Sequence, residues 1–93
     1  MIQSQEYVVK LSAGQSTSTA ALEAADTGHT YNIHTVIFLG LYDSGNDITL
    51  NGIQMVLPGG FVYNQTPIRS ISVTTSPQGV LLIGRKTKKN LFN

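Results

Sequence analysis

Short alternating runs of hydrophobic and polar residues, broken by turn signals roughly every ten positions, lay out the chain as a series of β-strands. Glu6–Ala13 (EYVVKLSA) places Tyr7, Val9 and Leu11 on one face and Val8, Lys10 and Ser12 on the other. That period of two is the mark of a half-buried strand. Ala13-Gly14-Gln15 reads as a turn. Thr30–Tyr42 (TYNIHTVIFLGLY) is the longest strand candidate. Tyr31, Ile33, Ile37, Leu39 and Leu41 share one face, interrupted by Thr35. Asn32, His34, Val36 and Phe38 share the other, so the strand begins half exposed and ends covered on both sides. Gly40 fits a bulge or the close approach of another backbone. Ile48–Val56 carries Asn51-Gly52 at its centre, the strongest short hairpin signal, because a type I′ turn needs positive φ at both central residues. Leu57-Pro58-Gly59-Gly60 is a further turn, and Phe61–Tyr63 a short strand.

Ile68–Gly84 (IRSISVTTSPQGVLLIG) is the organising stretch. It reads as a β-hairpin across Ser76-Pro77-Gln78-Gly79, with Pro at the second turn position and Gly at the fourth. Ile71 and Val73 mark one face of its first strand, and Ser70, Ser72 and Thr74 the other. Val80-Leu81-Leu82-Ile83 has no polar alternate and asks for cover on both faces. One cover is expected from Thr30–Tyr42 and the second from a neighbouring subunit.

Ser16–Ala25 (STSTAALEAA) supports two readings. Ala, Leu and Glu favour a short helix, capped by a preceding Ser or Thr. Thr17, Thr19 and Ala21 also alternate with Ser16, Ser18 and Ala20. Leu22 is its only large apolar residue, so a helix has little to anchor it and the extended reading is preferred.

The expected fold is all-β: a small antiparallel sandwich or jelly-roll-like barrel of about six to eight short strands. The 93 residues form one domain at 6–84, with an N-terminal arm at 1–5 and a basic C-terminal tail at 85–93. The chain has no cysteine, so neither a disulfide nor a thiolate metal site staples it, and oligomerisation is the remaining route to extra stability. Only 12% of residues are charged, well below the usual quarter. Residues 1–84 hold Lys10 and Arg69 against Glu6, Glu23, Asp26, Asp43 and Asp47, while Arg85, Lys86, Lys88 and Lys89 cluster at the end. The basic charge therefore reads as a tail. No apolar run reaches the ~20 residues of a membrane span, and MIQSQEYVV lacks a signal peptide's basic start and apolar centre. A product outside membranes and not secreted is expected.

No arrangement names a reaction. His29 and His34, five residues apart in an extended chain, point to opposite faces. Asp43, Asn46 and Asp47 make an oxygen-rich loop but lack the closing Glu of a calcium loop. No Ser sits in a nucleophile elbow, Gly59-Gly60 lacks the Lys of a phosphate loop, and no carboxylates are paired. The expectation is a non-enzyme with no cofactor and no metal. Arg85, Lys86, Lys88 and Lys89 read first as a solvated terminus that aids solubility; Leu91 and Phe92 make docking on a protein neighbour the next reading, and without interleaved aromatics the cluster is a weak nucleic-acid signal.

LNGIQMVLPGG followed by PIRSISVTTSPQGVLLIG resembles the C-terminal halves of many small β-structured virion proteins of tailed bacteriophages. The likeness covers about forty residues and is one of strands and turns. It implies a structural role: decorating or cementing the capsid shell or, as an alternative, joining parts of the tail, connector or baseplate. It also implies a homo-oligomer such as a trimer, partners among the major capsid or other virion proteins, assembly in the host cytoplasm and a final place in the virion. The interaction candidates are Val80, Leu81, Leu82 and Ile83 with Arg85, Lys86, Lys88, Lys89, Leu91 and Phe92. A third reading is a carbohydrate-binding sandwich with Tyr31, Tyr42, Phe61 or Tyr63 as stacking residues.

Overall fold

The computed structural model describes residues 4–42 and 45–89. Eight strands and one short helix follow in the order β1 (Ser4–Leu11), β2 (Ser16–Ser18), α1 (Thr19–Ala25), β3 (His29–Phe38), β4 (Gly45–Leu50), β5 (Ile53–Pro58), β6 (Val62–Tyr63), β7 (Ser70–Thr75) and β8 (Val80–Lys88). They form two four-stranded antiparallel sheets. Sheet I has the order β1-β8-β3-β6 and sheet II the order β2-β7-β4-β5. The chain is an all-β sandwich, and its sheets do not close into a barrel.

Period-two alternation fills the space between the sheets. Sheet I supplies Leu11, Ile33, Val36, Phe38, Val80 and Leu82, and sheet II supplies Ile48, Leu50, Ile71 and Val73; all are buried in one cluster that Ile68 completes. These branched and aromatic side chains suit a pleated surface with one covered face.

Only β4 and β5 are joined as a hairpin within one sheet. Its turn is the expected one, with Asn51 at φ 50° and Gly52 at φ 84°, and its arms run six residues each. Every other connection between successive strands crosses from one sheet to the other. Ser76-Pro77-Gln78-Gly79 is one of these crossings, which corrects the hairpin expected over Ile68–Gly84. β7 lies in sheet II between β2 and β4, while β8 lies in sheet I between β1 and β3. The reason sits beside the turn. Ser76 Oγ donates to the side-chain oxygen of the buried Asn46 on β4 and accepts from Gly79 N at 3.0 Å. Asn46 Nδ2 in turn donates to Leu57 O at 3.1 Å. These bonds hold the corner to sheet II while Gly79, at φ 88°, starts the chain toward sheet I. β3 therefore lies beside β8 in the same sheet, and the cover over Val80 and Leu82 comes from sheet II.

Two further expectations change. Ser16–Ala25 is extended only at Ser16–Ser18 and helical at Thr19–Ala25. Ser18 Oγ accepts from Ala21 N at 3.0 Å and caps the helix. Leu22 packs against the core, and Glu23 Oε2 accepts from Tyr31 N at 2.9 Å. The anchor is thus one apolar contact plus polar ties to β3. At the chain ends, Ser4 and Gln5 belong to β1 and pair with Thr87 and Lys86; Arg85–Lys88 belong to β8. Neither a five-residue arm nor a tail starting at residue 85 describes them, because each end completes the other's ladder.

A bulge resets β3. Ile33 pairs with Gly84 and Thr35 with Ile83, leaving His34 extra. Parity flips there, so Ile33, Val36 and Phe38 all face the core, where simple alternation separates Ile33 from the other two. Gly84 sits opposite. A Cβ on it would lie 2.2 Å from Asn32 O and 2.8 Å from Ile33 Cα, so only glycine permits this approach. At Gly40 close backbone approach is the reading that holds: a Cβ on Gly59 would meet Leu41 O at 2.3 Å.

Candidate interaction surface

The register of sheet I assigns its outward side chains. One row across the four strands is Lys10–Leu81–Ile37–Val62, and the next is Val8–Ile83–Thr35. Val8 is 50% and Val62 47% exposed; Leu81, Ile83 and Ile37 are half-buried by their neighbours alone. The result is an apolar band on the solvent side of sheet I. With strands about 4.8 Å apart and rows about 7 Å apart, it spans about 14 Å across the sheet. Beyond it lies a polar row, Glu6–Arg85–Asn32.

The predicted interaction residues divide. Val80 and Leu82 are fully buried core residues and have no surface to offer, which corrects their assignment. Leu81 and Ile83 face outward and belong to the band. The basic residues also part company, because β8 alternates: Arg85 is on the outer side, where Nε donates to Ser4 Oγ at 2.8 Å, while Lys86 and Lys88 pair in register with Tyr31 and His29 on the inner side. Lys89 follows the strand, with its N–H on Gly28 O at 3.0 Å. Leu91 and Phe92 lie outside the described residues, as does Asp43 of the oxygen-rich loop. Asn46, from that same loop, is a buried strand residue.

Sequence reasoning missed Val8, Ile37 and Val62. For Val8 the signal was present, as the single apolar residue on the polar face of an otherwise clean alternation. For Ile37 the bulge at His34 hid it.

A second apolar feature lies at one end. Gly40, Leu41, Tyr42, Pro58, Gly59, Gly60 and Phe61 line a groove of about 460 Å³, with Leu41 74%, Tyr42 84% and Phe61 40% exposed. Phe61 anchors inward through an edge contact with Phe38, centroids 6.2 Å apart. The other proposed stacking residues are engaged: Tyr31 donates to Asp26 Oδ2 at 2.8 Å, and Tyr63 packs on the core with its hydroxyl 3.1 Å from Thr66 Oγ1.

Where sheet I runs past sheet II, α1 covers its inner side and Asp26 gathers partners. Its carboxylate accepts from Tyr31 OH and lies 3.1 Å from His29 Nδ1. The hydrogen bonds from His29 and then Tyr31 hold the Asp26 carboxyl below its usual value, and the Asp26 bond holds the Tyr31 phenol above its own. Burial alone raises Tyr7, whose ring meets Tyr31 edge-on at 5.2 Å. The set ties α1 to β3 across a turn. Among the described residues no group of three or more His, Cys, Asp or Glu side chains comes together to hold a metal ion. The fold and its surface define a small all-β sandwich with an exposed apolar band. Comparison with protein-family models, curated proteins and solved structures gave no match.

Proposed function

We propose that the chain is a non-enzymatic structural protein of a virus particle, a small β module that binds and stabilises the capsid shell as a homo-oligomer. The observation that carries this reading is the outward apolar band of sheet I, centred on Leu81 and Ile83. An apolar surface of this kind gains by being covered, at about 25 cal/mol per Å² removed from water. The strand order supports it. Sheets ordered 1-8-3-6 and 2-7-4-5 follow the eight-stranded jelly-roll plan, which hosts viral capsid and lectin domains among others. Fold alone does not assign function, so the weight rests on the surface. The test is quantitative mass spectrometry of purified particles of the virus that encodes the chain. A fixed copy number relative to the major shell protein is expected; absence from intact particles overturns the proposal.

One observation favours a second reading, carbohydrate binding. Tyr42 and Phe61 are exposed along one groove, where sugar rings could stack. A glycan array on which the wild type binds and Tyr42→Ala does not would support it. An array without hits removes it.

A further inference from the structure

The geometry points to an antiparallel pairing of β1 with β1 of a second copy, centred on Val8, as the joint between protomers. This deepens the homo-oligomer part of the reading above and rests on it. β1 is the edge of sheet I, and among the described residues the backbone of Ser4–Leu11 is paired with β8 only. Eight residues of unpartnered edge, with no proline and no bulge in the strand, form a template for strand addition. The other edges are shorter. β2 and β6 have three and two residues, and β5 has six and ends in Pro58, a residue that blunts an edge.

Charge selects the partner. Glu6 and Lys10 stand two residues either side of Val8, on the same outer face. A charge on an edge strand ordinarily repels random pairing. In a two-fold antiparallel pair about Val8, each Glu6 falls directly opposite the other copy's Lys10, twice over, which is the favourable cross-strand arrangement. On the inner face the same register sets Tyr7 against Val9. Val8 meets its own copy, and the two Ile83 side chains then flank one continuous apolar strip in an eight-stranded sheet. The interface is isologous, as a closed dimer requires.

The test uses the full chain, which has no cysteine of its own. Val8→Cys introduces one where the proposed pair sets the two Cα atoms about 4.5 or 5.5 Å apart, within disulfide reach; Ser72→Cys on the outer face of sheet II is the control. Expected are a dimer by light scattering and rapid disulfide formation at position 8 but not at 72. Lys10→Glu should weaken association on the order of tenfold, and the double exchange Glu6→Lys with Lys10→Glu should restore it, circular dichroism confirming the fold of each. A monomer at millimolar concentration, an oligomer indifferent to both charge variants, or cross-linking of position 8 to a shell protein instead of a second copy would each overturn the pairing. Particle-bound chain that is monomeric in solution sinks the pairing alone; a charge-sensitive dimer absent from particles sinks the virion reading alone.

Discussion

On its outer side sheet I carries Val8, Ile83, Leu81, Ile37 and Val62 together, whereas the matching side of sheet II carries the row Ser16–Ser72–Thr49–Gln54 and, beside it, Val56 as a lone exposed apolar side chain opposite Asp47. The inner sides are alike, built of Ile, Val, Leu and Phe. Folding needs the inner pattern only, since that is where apolar surface leaves water. The outer pattern is free of that constraint, so its difference between the sheets bears on what each sheet meets. A hydroxyl-rich face is content in water; an aliphatic one is an invitation to a partner or to aggregation.

Glycine substitutions break the symmetry most strongly. In sheet I, Gly84→Ala drives a methyl into the backbone of Asn32 and Ile33 at the β3 bulge. We expect a loss of about 3 kcal/mol or more, at or above the upper end for overpacked cores. In sheet II, among the described residues a Cβ on Gly45 meets Val56 Cγ1 alone, at an ordinary contact distance of 3.5 Å. Gly45→Ala should be neutral or stabilise by up to about 1 kcal/mol, through the unfolded state. Urea titration of both variants reads the pair; equal losses would show that the bulge yields and that sheet I is no tighter than sheet II.

Sheet II has its own specialised interior. Ser76→Ala strips a partner from both Asn46 Oδ1 and Gly79 N and should cost about 1–3 kcal/mol, the range for orphaned buried polar groups. The measurement is the shift in denaturant midpoint at constant m-value. An unchanged midpoint would mean that the corner between β7 and β8 is held by its proline and glycine alone.

That corner also shows what a sequence can and cannot carry. Period two located β1, β3 and β7 and sorted most of their faces, because burial acts on each side chain locally, while an unbroken apolar run after a turn located β8. Asn51-Gly52 announced its hairpin, since positive φ at two successive residues is a local demand. Ser76–Gly79 announced only a turn. Whether the strand after a turn folds back beside its predecessor or crosses to a second sheet depends on Asn46, thirty residues earlier, and no local rule reads that. That Val80–Ile83 has two apolar faces was legible from the unbroken run, whereas which pair sheet II buries and which pair faces outward followed from topology. The helix at Thr19–Ala25 was underweighted because Glu23 and Asp26 bind it to β3 through polar contacts that a count of apolar residues misses.

Exchanging the outer faces tests the comparison with less cost to stability. Leu81→Ser with Ile83→Ser leaves the buried core untouched and, with both side chains half-buried, should cost about 2 kcal/mol, while abolishing self-association read by light scattering. Ser72→Val on sheet II should leave the oligomeric state as it is, since a single exposed apolar residue makes no patch. If the serine pair leaves association intact and Ser72→Val enhances it, the sticky surface lies on sheet II.

The smallest effect belongs to the end where sheet I outruns sheet II and α1 closes it. Asp26 is held below its ordinary pKa by His29 and Tyr31. A carboxyl depressed in the folded state contributes stability above its unfolded value and loses it as pH falls through the folded one. The chain should therefore lose a little stability as pH drops below about 4, and Asp26→Asn should remove that part of the slope while leaving stability at neutral pH only slightly lowered. The group is partly exposed and solvent-screened, so the effect is modest. Hydrogen exchange at Tyr31 N–H, which α1 shields through Glu23, localises it. Faster exchange there in acid, with core amides of Val36 and Leu82 unchanged, places the loss at the α1 end. Uniform acceleration across both sheets would instead make Asp26 part of the global fold and remove the distinction between the overhanging end of sheet I and the sandwich beneath it.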